Sequence, residues 1–189
     1  VAQSPYSASK ISADNLAISY YLSYNLPIKI IRPFNCFGPR QSARAIIPTI
    51  ITQILKGNTL KLGSLFPTRD LTYVEDTVTG FISSINNKKN VGEIINIGSG
   101  SEISIGKLTK IISKLMNKKI IIKLHKDRIR PKNSEVKRLL ASTKKAKKII
   151  NWKPKYLGKK GFEEGLKKTI SWFSKKENLK FYKTNIFND

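Results

Sequence analysis

Apolar and polar positions follow two rhythms along this chain, and the switches between them divide it into elements. From 6 to 24, apolar and aromatic side chains recur at helical spacing through Ile11, Leu16, Tyr20 and Leu22. Ser4 can cap that helix and Pro5 suits its first turn. Leu26-Pro27 breaks the pattern, and 28–31 is a short run, apolar but for Lys29, read as a strand covered on both faces. Pro33 ends that strand, and 34–41 reads as a loop. A second helix is predicted over 43–56, ending at Gly57-Asn58. Short extended pieces at 60–62 and 70–74 precede a helix over 75–86. A buried strand at 93–97 is closed by Gly98-Ser99-Gly100, and Ser104 can cap a helix over 105–116. A strand at 120–124, a charged loop at 126–134, and helices at 143–149 and 161–175 complete the reading.

Strands that alternate with helices define an α/β chain. The short elements after residue 57 suggest a smaller α+β lobe on the end of a larger parallel sheet. The expected division is 1–57, then a lobe over 58–175 whose strand near 93–97 returns to the sheet, then a polar tail over 176–189. No glycine-rich phosphate loop follows a strand, and Gly98-x-Gly100 is too short and too late to serve as one.

Composition narrows the function classes. The formal charge is +24, yet 29 of the 36 basic residues are lysines and only 7 are arginines. Sequence-specific nucleic-acid readers rely on arginine forks and aromatic platforms. Lysines scattered among isoleucine and asparagine read better as solvated faces, including the dense run Lys144-Lys145-Ala146-Lys147-Lys148. The expectation is therefore no specific nucleic-acid partner. No apolar run reaches the roughly 18 residues of a membrane-spanning helix, so no membrane partner is expected either. One cysteine, Cys36, and one histidine, His125, make a poor basis for a disulfide framework or a metal site, and suit a reducing cytoplasm.

The candidate chemistry begins at Tyr6 and Lys10. Four-residue spacing puts both on one helix face. An ammonium beside a phenol favours the phenolate, which can take a proton from a sugar hydroxyl. The plain alternative is a packed tyrosine and a solvated lysine. Four further patterns follow in order: RPFNCFGPR at 32–40, LFPTRDLTYVEDT at 65–77, INIGSG at 95–100 and RIRPKNSEVKRLLASTKKAKKIINWKP at 128–154. With SPYSASK at 4–10, this ordered set resembles the extended short-chain dehydrogenases/reductases of the NAD-dependent epimerase/dehydratase family. The runs GPRQSARAIIPTIITQIL, PTRDLTYVEDT and RPKNSEVKRLLAS resemble most the UDP-N-acetylglucosamine 4,6-dehydratases of the legionaminic-acid type.

The resemblance implies the C-terminal part of a Rossmann-like parallel sheet with a substrate-binding lobe, NAD as cofactor, and a nucleotide-sugar substrate. It implies that Tyr6 is the acid/base, and that Lys10 binds the nicotinamide ribose and favours the Tyr6 phenolate. Pro33 and Phe34 would approach the nicotinamide, and Asn35 the sugar–diphosphate region. Arg69 and Arg130 would clamp the diphosphate or its ribose, and Glu135 would accept from ribose hydroxyls, with Arg40 and Arg44 as further cations. For Arg69 the plain alternative is an ion pair with Asp70 or Glu75, and for Arg130 a solvated charge. Backbone groups at 60–62 would meet the base, Asp76 would brace its helix, and Cys36 has no assigned role.

The reaction implied is oxidation at C4, elimination of water across C5 and C6, and return of hydride to C6. An epimerase or decarboxylase on the same scaffold is the alternative, and a basic nucleic-acid-binding module the alternative of another class. The resemblance also implies a homodimer through a four-helix bundle that includes the helix with Tyr20, Tyr21 and Tyr24. It implies a C-terminal fragment: the glycine-rich loop, the catalytic Ser or Thr and the Asp-Glu pair of dehydratases would precede Val1. The isolated chain is expected neither to bind NAD well nor to turn over.

Overall fold

A computed structural model describes residues 2–128, 134–180 and 182. Helix α1 (Pro5–Tyr24) starts as its sequence demands. The Ser4 hydroxyl accepts from the Ser7 amide at 3.2 Å, the Ser7 hydroxyl accepts from the Ser4 amide at 3.0 Å, and Pro5 occupies the first turn. Asn25 ends the helix in the left-handed conformation at φ 53°.

The strands that follow pair across long stretches of sequence. β1 (Ile30–Pro33) runs parallel to β6 (Ile94–Ile97), with Ile30 opposite Ile94 and Pro33 opposite Ile97. β2 (Asn35–Phe37) runs parallel to β5 (Leu71–Tyr73), and β3 (Thr59–Leu62) to β8 (Ile121–Leu124). β4 (Thr68–Arg69) lies between β7 (Ile103–Ser104), antiparallel, and β9 (Arg138–Leu139), parallel. The helices are α2 (Ile46–Lys56), α3 (Val74–Ile85), α4 (Ile105–Leu115), α5 (Lys144–Ile150), α6 (Gly158–Ser174) and α7 (Lys176–Leu179). This is an α/β fold with parallel strand pairs.

Several expectations change, the unexpected short strands β4, β7 and β9 among them. The segment 34–41 was expected as loop but contributes strand β2. The second helix opens at Ile46 rather than 43, because residues 43–45 turn the chain into it. The polar tail begins with the short helix α7.

The main core forms where α2 presents Ile47, Ile50, Ile51 and Ile54 to Leu60 and Leu62 of β3, Leu108 and Ile112 of α4, and Leu166 and Phe173 of α6. A second cluster joins Ile95 and Ile97 of β6 to Ala146 and Ile150 of α5 and to Trp152. Two buried aspartates tie the loops to these cores. Asp70 accepts from the amides of Ser99, Gly100 and Ala141 at 2.8, 2.9 and 3.1 Å, and from the hydroxyls of Ser99 and Thr72 at 2.7 and 3.3 Å. Asp76 accepts from the amides of Lys155 and Tyr156 at 2.7 and 2.9 Å, so it braces the segment before α6. Gly98 must lack a side chain, since a Cβ there would strike Ala141. Among the described residues no helix is long and apolar enough to cross a membrane.

Candidate functional site

A cleft of about 500 Å³ opens where β2, α2, β4 and the segment before β9 meet. Asn35, Arg69 and Glu135, three residues expected to touch substrate, all line it. β4 and β9 are adjacent parallel strands with Arg69 opposite Leu139, and Glu135 lies just before β9, within reach of Arg69 across 66 positions of sequence. The Arg69 Nη2 lies 3.3 Å from Glu135 Oε1, and its Nη1 donates to the Thr68 carbonyl at 2.8 Å. Both side chains are mostly buried, at 14% and 20% exposure, so their charges are weakly screened. The partner of Arg69 is thus Glu135, and neither Asp70 nor Glu75: the Asp70 carboxylate turns inward to its five donors. Arg130 lies outside the described residues.

Arg44 and Arg128 add positive charge to the cleft. Burial lowers the Arg128 guanidinium from its ordinary value, and an arginine side chain stays charged in proteins. Arg40 does not line the cleft; its charge acts on Tyr182. Of residues 60–62, Leu62 contributes to the lining. Burial raises the Cys36 thiol above its ordinary 9.0, with Thr77 acting in the opposite direction, so it stays protonated near neutrality.

Gln41 is the residue that the sequence reading missed. Its Nε2 donates to the Cys36 carbonyl at 2.6 Å, while its buried Oε1 has no partner among the described residues. An acceptor held in a cleft without a donor is a place for a ligand N–H or O–H. The signal in the sequence was slight, an amide directly after the Gly38-Pro39-Arg40 turn.

Tyr6 and Lys10 stand on α1, outside the lining of this cleft. The Lys10 Nζ lies 5.5 Å from the Tyr6 ring centroid, so the four-residue spacing does stack the pair. Tyr6 is 71% exposed, open to any ligand laid along that face. Asp14 holds α1 to β1 through Arg32 at 2.6 Å, and Tyr21 rests on the turn at Gly92, where a Cβ would strike its ring. Phe34 is half-buried and its amide donates to the Ile97 carbonyl at 2.8 Å. Pro33 and Phe34 therefore carry the chain from the end of β1 directly to Asn35 at the cleft. Among the described residues no group of His, Cys, Asp and Glu could hold a metal ion.

Comparison with known proteins gives this arrangement its context. A family model described as GDP-mannose 4,6 dehydratase matches residues 1–169. A UDP-glucuronate 4-epimerase of Thermodesulfobacterium geofontis is 35% identical over 187 residues, covering 96% of this chain and 53% of that protein. A UDP-N-acetyl-alpha-D-glucosaminuronate decarboxylase of Bacillus cytotoxicus is 34% identical over 179 residues, covering 92% and 54%. The crystal structure of dTDP-glucose 4,6-dehydratase from Bacillus anthracis, in complex with NAD, superposes with a TM-score of 0.82 at 33% identity, covering 92% of this chain and 53% of that one. The chain thus spans about half the length of these relatives. With a family match over nearly its whole length and the same fold as the dehydratase, this chain belongs to the GDP-mannose 4,6 dehydratase family of nucleotide-sugar dehydratases, epimerases and decarboxylases.

Proposed function

We propose that this chain carries the redox acid/base pair and the nucleotide site of an NAD-dependent nucleotide-sugar 4,6-dehydratase, with UDP-N-acetylglucosamine as substrate. The observation that carries the reading is the meeting of Arg69, Arg44, Asn35 and Glu135 in one cleft. Two guanidinium groups suit a diphosphate, and the Glu135 carboxylate suits ribose hydroxyls. The Arg69–Glu135 contact holds both groups in place before a ligand arrives.

NAD fits the donor set on α1, where a phenol and an ammonium share one open face. It supplies, when bound, a hydride acceptor for C4 that later returns hydride to C6. In this reading the Tyr6 phenolate takes the O4 proton as the C4 hydrogen leaves as hydride. Lys10 binds the nicotinamide ribose hydroxyls. Pro33 and Phe34 form an apolar wall beside the ring, and Asn35 orients the sugar. The C4 ketone then makes the C5 proton acidic; loss of that proton with the C6 hydroxyl gives water and a 4-keto-5,6-ene, and addition of the returned hydride at C6 and a proton at C5 gives the 4-keto-6-deoxy sugar. A homodimer through α1 belongs to the same reading, supported by the exposed Tyr20–Tyr24 pair at 5.7 Å between centroids. The 189-residue chain alone binds the nucleotide and does not turn over.

A 4-epimerase or decarboxylase is the second reading, favoured by the relatives at 35% and 34% identity. Both share the first oxidation. The complete open reading frame that encodes this chain, incubated with NAD and UDP-N-acetylglucosamine, distinguishes them. A product that has lost one water supports the dehydratase; an isomer of unchanged mass sinks it. In the 189-residue chain, UDP raises the melting temperature and Arg69→Ala abolishes the shift.

A further inference from the structure

A cavity of about 870 Å³ lies apart from the nucleotide cleft. It is walled by α4, by the first turns of α6 and by the segment 99–103, and Leu71 of β5 borders both spaces. Its floor is apolar. Ile103, Ile111, Leu115 and Phe162 each pack on the main core with one side and stay half-exposed on the other. Its rim is cationic. Lys107, Lys110 and Lys114 fall at i, i+3 and i+7 on one face of α4, and Lys159 stands opposite on α6. None of the four forms an ion pair among the described residues. Of the two rim carboxylates, Glu102 is already engaged by Arg138 at 2.8 Å and by the Thr68 hydroxyl at 2.6 Å, which leaves Glu163 against four lysines.

We propose that this cavity is a second ligand site, for an amphiphilic anion with an apolar body and one acidic head. The apolar floor takes the body, and the α4 lysines take the head. The size favours a small molecule: about 300–1,000 Å³ is the usual range for such sites, and three walls enclose the space. The proposal is independent of the assignment of the nucleotide cleft.

The test uses the 189-residue chain and two probes, 8-anilinonaphthalene-1-sulfonate, read by fluorescence, and decanoate as competitor. The expected result is saturable binding of one equivalent of the dye, displaced by decanoate and not by UDP. Lys110→Glu with Lys114→Glu weakens binding about tenfold or more at unchanged melting temperature, while the two Lys→Arg replacements preserve it. Lys147→Glu with Lys148→Glu, the same charge change on α5, leaves it within about twofold. Equal losses in both charge-reversed variants, displacement by UDP, or an unsaturable signal overturns the proposal. So does capture of an acidic amphipathic peptide by a chain that ignores both small anions.

Discussion

Asp70 performs no chemistry in the cleft, yet it fixes where the walls of the cleft stand. Its buried carboxylate gathers the chain after β6, the chain after β9 and Thr72 of β5, and the residue before it is Arg69. Removing it orphans several buried donors at once. Asp70→Ala should cost about 3–5 kcal/mol in urea unfolding, against roughly 1 kcal/mol for Ser99→Ala, which removes one hydroxyl donor. A second cluster contributes to acid stability. The Tyr156 hydroxyl donates to Glu75 at 2.6 Å and Lys168 reaches the same carboxylate at 3.2 Å, which holds the Glu75 carboxyl below its ordinary 4.5. A carboxyl lowered in the folded state stabilises above its unfolded value and loses that contribution as pH falls through its folded one. This contribution should hold from neutrality down to about pH 4.5 and fade below it, and Glu75→Gln should make the acid limb shallower in denaturation scans at pH 3 to 7. The sequence made Arg69 and Glu135 legible as site residues through their motifs. Their contact was not legible, because it depends on β4 lying beside β9. Gln41 was invisible for a similar reason: its meaning lies in the partner its oxygen lacks.

Among the elements, α1 stands apart. It is twenty residues long and contains no buried residue, and Ile11, Leu16, Tyr20, Leu22 and Tyr24 are all exposed. Helices draw most of their stability from a packed face, and α1 has little of one in this chain. Its described anchors are the Asp14–Arg32 pair and Tyr21 on the Gly92 turn. Amide exchange in the 189-residue chain should be faster along α1 than along α2 or α4, whose inner faces carry Ile50, Ile51, Leu108 and Ile112 in the core. Gly92→Ala should speed α1 further without moving α4, since the new Cβ meets the Tyr21 ring at a backbone φ of +73°. Protection of α1 equal to that of α2 would sink this reading. The long elements were legible from periodicity and caps: Ser4 and Ser104 both cap as their positions suggest. The two- and three-residue strands β2, β7 and β9 were not. Nothing local separates them from loops, and their partners lie 34 to 70 residues away.

At the scale of the whole molecule, the excess of 36 basic over 12 acidic residues sets up two anion-binding behaviours that salt can separate. The lysines of α5 and of the α4 rim are exposed, so their field is screened over about a Debye length, roughly 8 Å at physiological ionic strength. Any long polyanion feels them together and releases its counterions on binding, so its affinity falls steeply with salt and carries no sequence preference. The Arg69–Glu135 pair is different, because both side chains are mostly withdrawn from solvent and face one cleft. A nucleoside diphosphate there meets few charges, and those few are weakly screened. Between about 50 and 200 mM salt, duplex DNA should lose on the order of a thousandfold in affinity. UDP should lose less than about tenfold over the same range. Arg69→Ala should remove the UDP response and leave the DNA curve in place, whereas Lys147→Glu with Lys148→Glu should weaken DNA binding and leave the UDP response in place. DNA binding that survived at 200 mM with a sequence preference would show the basic surface to be a reading surface, and the nucleotide cleft would then no longer account for the function of the chain.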